Sequence, residues 1–311
     1  MSFFINKTEK YHREQMKSLG WELTVCNSLE SEQSPARGII LNKATYGRLL
    51  FDYLFTYIPK KYRGSILEIG GGYGYLMRDF LSLEPDARAL MIDISPVMLQ
   101  QQTKTLEKSN VQFIESDFFD LDAPLLKQFD LVVMNEIVGD FPTACGLTRE
   151  VIDSSNTSDH TDLEKIREYF KNGLFQIPNS VPFNVNIGAI KAVEKLCSLK
   201  IPFIFVSEHS CQAEVNDHMK PFLKITASNN PVEIKLMGHS EYTIRFSDLE
   251  SVARHFGYEI IRGNYTDFIK FQFSNKIRYV LTSNSQKDEH EIIRQFIDDL
   301  YTYEYLLLIR S

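Results

Sequence analysis

The sequence predicts an α/β protein organised around a doubly wound parallel sheet. Three observations predict it. Short apolar runs alternate with helix-patterned segments between residues 65 and 206. A glycine cluster follows the first of these runs, and acidic residues stand at the ends of the next ones. Ser65–Ile69 is a short apolar strand that meets Gly70-Gly71-Gly72-Tyr73-Gly74. A helix then runs from about Tyr75 to Leu83, and Pro85-Asp86 closes it. Ala89–Ile92 reads as a strand, Pro96–Lys108 as a helix with Pro96 in its first turn, and Val111–Glu115 as a strand. Phe129–Met134 is the near-continuous apolar run of a buried parallel strand. Asn186–Leu199 is helical and Pro202–Val206 is the fifth strand.

The flanks are less regular. Within the first sixty residues Leu49, Leu50, Tyr53, Leu54 and Tyr57 recur at helical spacing until Pro59. Asp153–Asp162 is polar and turn-rich, a loop or lid edge whose Asn156-Thr157-Ser158 is a glycosylation sequon in form only. Cys211 to Tyr242 reads as irregular structure with short strands. Ser247–Phe256 is helical, Tyr258–Arg262 and Lys276–Leu281 are strand-like, and Glu289–Leu308 reads as a terminal helix. The expected organisation is a helical cap over 1–60, a ligand-binding core over 61–210, a substrate-side insert over 211–245, and completion of the core sheet with the terminal helix over 246–311.

Composition narrows the function. Of 311 residues, 43% are hydrophobic, enough for a sizeable core. The 34 basic residues against 41 acidic ones give a net charge of −7, with no clustered Lys/Arg block, so a nucleic-acid partner is not expected. Cys26, Cys145, Cys197 and Cys211 are scattered without a CxxC pair, which suits buried free thiols and supplies no metal-ligand spacing. The N-terminus has no apolar core of signal-peptide length. The runs Ile201–Val206 and Tyr305–Ile309 are far too short to span a membrane, and the expected location is the cytoplasm.

The glycine turn specifies its ligand further. A turn of this kind lets backbone approach a ligand, and the following helix N-terminus favours a negative group. A dinucleotide fingerprint needs glycine where Tyr75 stands, and no phosphate-loop motif is present. Instead Glu68 precedes Gly70-x-Gly72-x-Gly74; it would repel a diphosphate but suits an ammonium group. An amino-acid zwitterion joined to a nucleoside satisfies both ends, and S-adenosylmethionine is such a molecule. Asp93, about twenty residues on, is placed for ribose hydroxyls, while Ser95 caps the next helix. Asp117 follows the third strand, where a carboxylate can receive an adenine amino group.

LEIGGGYGYL, MIDISPVMLQQ, VQFIESDFFDL and FDLVVMNE, in this order and spacing, resemble the motifs of class I S-adenosylmethionine-dependent methyltransferases over Ser65–Pro142. The resemblance implies a mostly parallel sheet of seven strands whose last strand, antiparallel, would be Lys276–Leu281. It implies a cofactor site lined by Glu68, Gly70, Gly72, Asp93, Ile94, Asp117, Phe118 and Asn135. A narrower likeness exists: Asn135-Glu136-Ile-Val-Gly139-Asp140-Phe141-Pro142 is similar to the NExxDAxP segment of the MidA-like protein-arginine methyltransferases. Gly238-His239, Phe246-Ser-Asp-Leu249 and Gly257 resemble that family's later half, but Gly139 stands where the family has aspartate.

Methyl transfer from a sulfonium needs in-line alignment, and a base when the acceptor is protonated. Glu136 at the end of strand four is the first catalytic candidate, followed by Glu208 and His209 at the end of strand five. Each has a plainer reading, as a solvated helix-start carboxylate or a loop histidine. Phe3, Phe4, Tyr11 and Trp21 either cap the cleft as a lid or pack a helix onto the body. Tyr301, Tyr303, Tyr305 and Leu306–Ile309 form either a homodimer surface or core. The leading function is methyl transfer to oxygen or nitrogen of a small molecule. A protein arginine acceptor is the second, and a non-catalytic assembly factor that keeps the fold is the third.

Overall fold

The computed structural model describes residues 3–17, 24–154, 160–178 and 182–310. Twelve strands follow in chain order: β1 Phe4–Asn6, β2 Ser65–Ile69, β3 Arg88–Asp93, β4 Val111–Glu115, β5 Leu131–Asn135, β6 Thr143–Leu147, β7 Phe183–Val185, β8 Phe203–His209, β9 Glu233–Lys235, β10 Ser240–Tyr242, β11 Tyr258–Asn264 and β12 Tyr303–Arg310. Seven of them make the central sheet in the order β11-β12-β8-β5-β2-β3-β4. From β2 the chain winds outward through β3 and β4, then returns to place β5 and β8 on the other side. The crevice between β2 and β5 is therefore the switch point at which open parallel sheets take ligands.

Alternation along each strand sends side chains to two separate apolar layers. Ile66, Met91, Leu131, Val133 and Phe205 face the helices Tyr46–Leu54, Tyr75–Leu83 and Asp288–Thr302. Leu67, Leu90, Val132, Met134, Ile204 and Val206 face Thr161–Lys171, Ile187–Ser198 and Phe246–His255. Both layers are buried, which is why the inner strands read as continuous apolar runs rather than alternating ones. Two smaller sheets rim the crevice: β1-β6-β7, and the hairpin β9–β10.

The expected strands through β8 and at β11 are present, each within a few residues of its expected bounds. Two expectations fail at the C-terminal end. Lys276–Leu281 is not the last strand but lies within the helix Asn275–Thr282. Its buried residues Ile277 and Val280 are three apart, a helical spacing, and Ser274 Oγ caps the Ile277 N–H. The expected terminal helix over Glu289–Leu308 ends at Thr302, and β12 follows at once. β12 is the antiparallel member of the sheet, paired with both β8 and β11. Tyr303, Tyr305 and Leu306–Leu308 are thereby buried in the sheet and present no subunit surface.

Trp21 and the sequon Asn156-Thr157-Ser158 lie outside the described residues. Of the segment expected as a loop, Asp153 ends the helix Arg149–Asp153 and Thr161 begins the next helix. Phe4 is largely exposed, Phe3 meets His160 edge-on, and Tyr11 stacks on His239. No helix among the described residues is long and apolar enough to cross a membrane.

Candidate active site

The turn after β2 works because its residues Gly70, Gly71 and Gly72 carry no side chains. Gly70 and Gly72 adopt φ of 66° and 51°, in the left-handed region. A Cβ on Gly70 would stand 2.4 Å from the Ile137 side chain. Below the turn, Glu68 is buried and its Oε2 has no hydrogen-bond partner among the described residues. Burial, reinforced by the neighbouring Asp93, lifts this carboxyl to about 8.

Asp93 closes β3 with both oxygens engaged. The Ser95 N–H donates to Oδ1 at 2.9 Å and Gln102 Nε2 to Oδ2 at 2.8 Å. Burial raises its pKa to about 6 against these bonds. Gln102 also reaches the Gly72 carbonyl at 3.2 Å, so one amide fixes the carboxylate relative to the turn. Ser95 caps the helix Pro96–Thr105, as the sequence indicates.

Beyond β4 the environment turns apolar. Asp117 accepts from the Phe119 N–H at 2.8 Å, which pins the short turn Phe118–Asp120. Phe118 lies parallel to Phe141 with ring centroids 6.3 Å apart, and Phe119 meets Phe141 edge-on. With Ile94 they line a cavity of about 280 Å³. A larger cavity of about 370 Å³ adjoins it, and the two share Gly70, Asp93, Ile137, Asp140 and His12.

The larger cavity is acidic. Asn135 at the end of β5 is clamped by Tyr46 Oη at 2.5 Å and Ser207 Oγ at 3.0 Å, both donating to its Oδ1. Its neighbour Glu136 has φ of 54°, a strained backbone for a residue with a Cβ. Glu136 Oε2 has no partner among the described residues, and burial raises its carboxyl to about 7 although His209 opposes this. Glu208 at the end of β8 accepts the Gly139 N–H at 3.0 Å and the His209 N–H at 2.9 Å. The His209 ring sits 3.8 Å from that of Tyr303, with Nε2 3.7 Å from Asp299 Oδ1. Burial lowers its pKa, but Asp299 and Glu208 outweigh burial and raise it.

All eleven residues singled out from sequence thus lie along the carboxyl edge of the sheet, and all line one cavity or the other. His12, Glu241, Asp299 and the clamp residue Tyr46 were not anticipated. They come from segments far from the motifs, and no local spacing marks them. The structure also accounts for Gly139: a Cβ there would stand 3.1 Å from the Glu208 carboxyl, so an aspartate would set two carboxylates together.

Residues 67–154 match the sequence family described as a methyltransferase domain. The malonyl-[acyl-carrier protein] O-methyltransferase of Acetivibrio thermocellus is 34% identical over 97 residues, 31% of this chain and 34% of that protein. Its counterpart in Halalkalibacterium halodurans is 36% identical over 76 residues, 24% of this chain and 28% of that one. The chain thus spans about a third of the length of the curated relatives it matches. Among solved structures, an uncharacterized protein from Burkholderia thailandensis aligns with a TM-score of 0.53 at 11% identity, covering 97% of this chain and 86% of that one. The plantazolicin methyltransferase BpumL, solved with SAH, aligns over 85% of this chain and 81% of that one at 15% identity and a TM-score of 0.42.

Residues 67–154 are thus similar to a methyltransferase domain, and they lie on the seven-stranded sheet expected of the class I S-adenosylmethionine-dependent methyltransferases. S-adenosylmethionine is the cofactor of that class. The residues present fit it: a collar of left-handed glycines, a buried carboxylate oxygen without a partner at Glu68, and a tethered carboxylate at Asp93.

Proposed function

We propose that the chain methylates nitrogen on a small acceptor that carries or shares positive charge. The observation that carries this reading is the lining of the larger cavity. Glu136, Glu208, Glu241 and Asp299 face it beyond the cofactor residues, with no lysine or arginine among the described residues that line it. Such a wall attracts an amine or guanidine and repels a carboxylate. The matched relatives carry the name of O-methyltransferases of malonyl-[acyl-carrier protein], and a malonyl carboxylate would meet repulsion here.

In this reading Glu68 holds the ammonium end of the cofactor, Asp93 the ribose hydroxyls, and the Phe118–Phe141 cavity the adenine. The cofactor supplies an electrophilic methyl on a sulfonium. Glu136 orients the acceptor nitrogen and takes the proton that nitrogen loses; a carboxyl near 7 is suited to that exchange. Glu208 is held in place by two backbone N–H groups, and burial raises its carboxyl to about 7 as well, so it lies beside Glu136 as a second, fixed carboxyl of the same wall. His209 bridges toward Asp299 and positions that wall.

The N-terminal segment and the β9–β10 hairpin complete the substrate side, since His12, Ile234, Leu236 and Glu241 line the same cavity. An arginine side chain of a protein is the second reading, because a guanidinium meets the same carboxylates. The test is transfer of labelled methyl to a panel of amines, guanidines and carboxylic acids, and to cell extract divided into protein and small-molecule fractions. Label in small cationic compounds is expected. Label confined to carboxylates would overturn the reading, and label confined to protein would favour the second one.

A further inference from the structure

Three side chains from distant parts of the chain converge beside the cleft. His12 comes from the N-terminal segment, Asp140 from the turn after β5, and His239 from the loop between β9 and β10. His12 Nε2 lies 2.8 Å and His239 Nε2 3.5 Å from the same oxygen, Asp140 Oδ1. One potential ligand atom from each residue lies within 4.8 Å of the other two. Glu241 Oε1 stands 3.3 Å from His239 Nε2. An ion bonded to nitrogen and oxygen at about 2.1 Å, in tetrahedral or octahedral geometry, sets neighbouring ligand atoms about 3.0–3.4 Å apart. The observed edges bracket that spacing.

We propose that His12, Asp140 and His239 form a binding site for a divalent transition-metal ion, with Glu241 beside it. Two imidazoles and a carboxylate suit zinc, iron or cobalt better than magnesium or calcium, which prefer oxygen throughout. The donors are held in place before any ion arrives. The His239 ring stacks on Tyr11 at 4.1 Å between centroids. Thr8 Oγ1 donates to the Asp140 carbonyl at 2.8 Å, which anchors the segment that carries His12. His12, Asp140 and Glu241 also line the larger cavity, so open coordination positions would face it. An ion here would tie the N-terminal segment, the β5 turn and the hairpin together across the cofactor crevice. Glu241 belongs to both the site and the acidic wall, so an ion here would offset part of that wall's charge.

The test uses the full chain, freed of any purification tag and saturated with S-adenosylhomocysteine. Zn²⁺ and Co²⁺ are titrated calorimetrically, and the visible spectrum of the Co²⁺ form is recorded. One equivalent is expected to bind, with absorption bands of an ordered, low-coordinate cobalt site. His12→Gln and His239→Gln should each weaken binding at least about tenfold, while His255→Gln, on an exposed helix end, should not. A melting temperature close to that of wild type shows that the variants are folded. If either does not fold, the wild-type spectrum decides alone. Absence of the bands, or His12 and His239 variants that bind like wild type, overturns the proposal and leaves the trio as an imidazole–carboxylate latch.

Discussion

The two ends of the cleft are built on opposite principles. Past β4, the end proposed for adenine is walled on one side by Ile94, Phe118, Phe119 and Phe141, and Asp117 Oδ1 accepts a backbone N–H beside it. Past β5 and β8, the end proposed for the acceptor is polar and charged, and Glu136 is held there in a left-handed backbone with an oxygen unpaired among the described residues. The apolar end gains stability by burying surface. The acidic end costs stability, because carboxyls enter a dry site without full partners. Affinity for the cofactor should therefore reside at one end and selection of the acceptor at the other.

That contrast can be broken in four ways, beginning with the largest effect. Glu136→Gln should lower kcat by about 10²–10⁴-fold while S-adenosylhomocysteine affinity holds, as for loss of a proton acceptor. Equal loss of affinity in calorimetry would erase the division between the ends. Asp93→Ala should do the reverse and weaken S-adenosylhomocysteine about 100-fold, the worth of two hydrogen bonds to a charged group. Near wild-type binding would remove Asp93 from the cofactor site.

The third concerns pH. Burial holds Glu68 protonated up to about 8, above its ordinary 4.5. The stability due to that raised value is complete below pH 4.5 and is lost as pH rises through 8. An ammonium beside it favours the ionised form, so binding releases a proton. Affinity for S-adenosylhomocysteine should rise between pH 6 and 8 by at most about tenfold per pH unit, and Glu68→Gln should flatten the rise. A flat wild-type profile would place the ammonium elsewhere. Smallest, Phe141→Ala should weaken the same ligand by no more than about tenfold, the worth of one aromatic contact. A larger loss of affinity, with melting temperature unchanged, would mean that the adenine end has more than surface burial behind it.

The halves also differ in how far sequence reveals them. The glycine turn, Asp93 and Asp117 each sit within a few residues of a strand end, so local spacing locates them. Glu136, Glu208 and His209 were visible for the same reason. The acceptor wall was not: His12, Glu241 and Asp299 reach it through tertiary packing, and a solitary acidic residue on a helix such as Asp288–Thr302 carries no mark of facing inward. The C-terminal misreading is of another kind. No glycine or proline separates Thr302 from Tyr303, so the helix passes into β12 without punctuation, and the apolar run Tyr305–Ile309 suits either element. Only the open edge of β8 decides between them.

That open edge has a consequence during synthesis. β8 is complete at His209, but the strand that covers its outer side begins at Tyr303. At about 5–20 residues per second, a ribosome needs roughly 5–20 s to cross that interval. Throughout it, Phe203–Val206 present unpaired backbone and apolar side chains, a template for pairing with another nascent chain. The chain is thus most exposed to aggregation just before its sheet closes, and a chaperone that shields strand edges would matter most in those seconds.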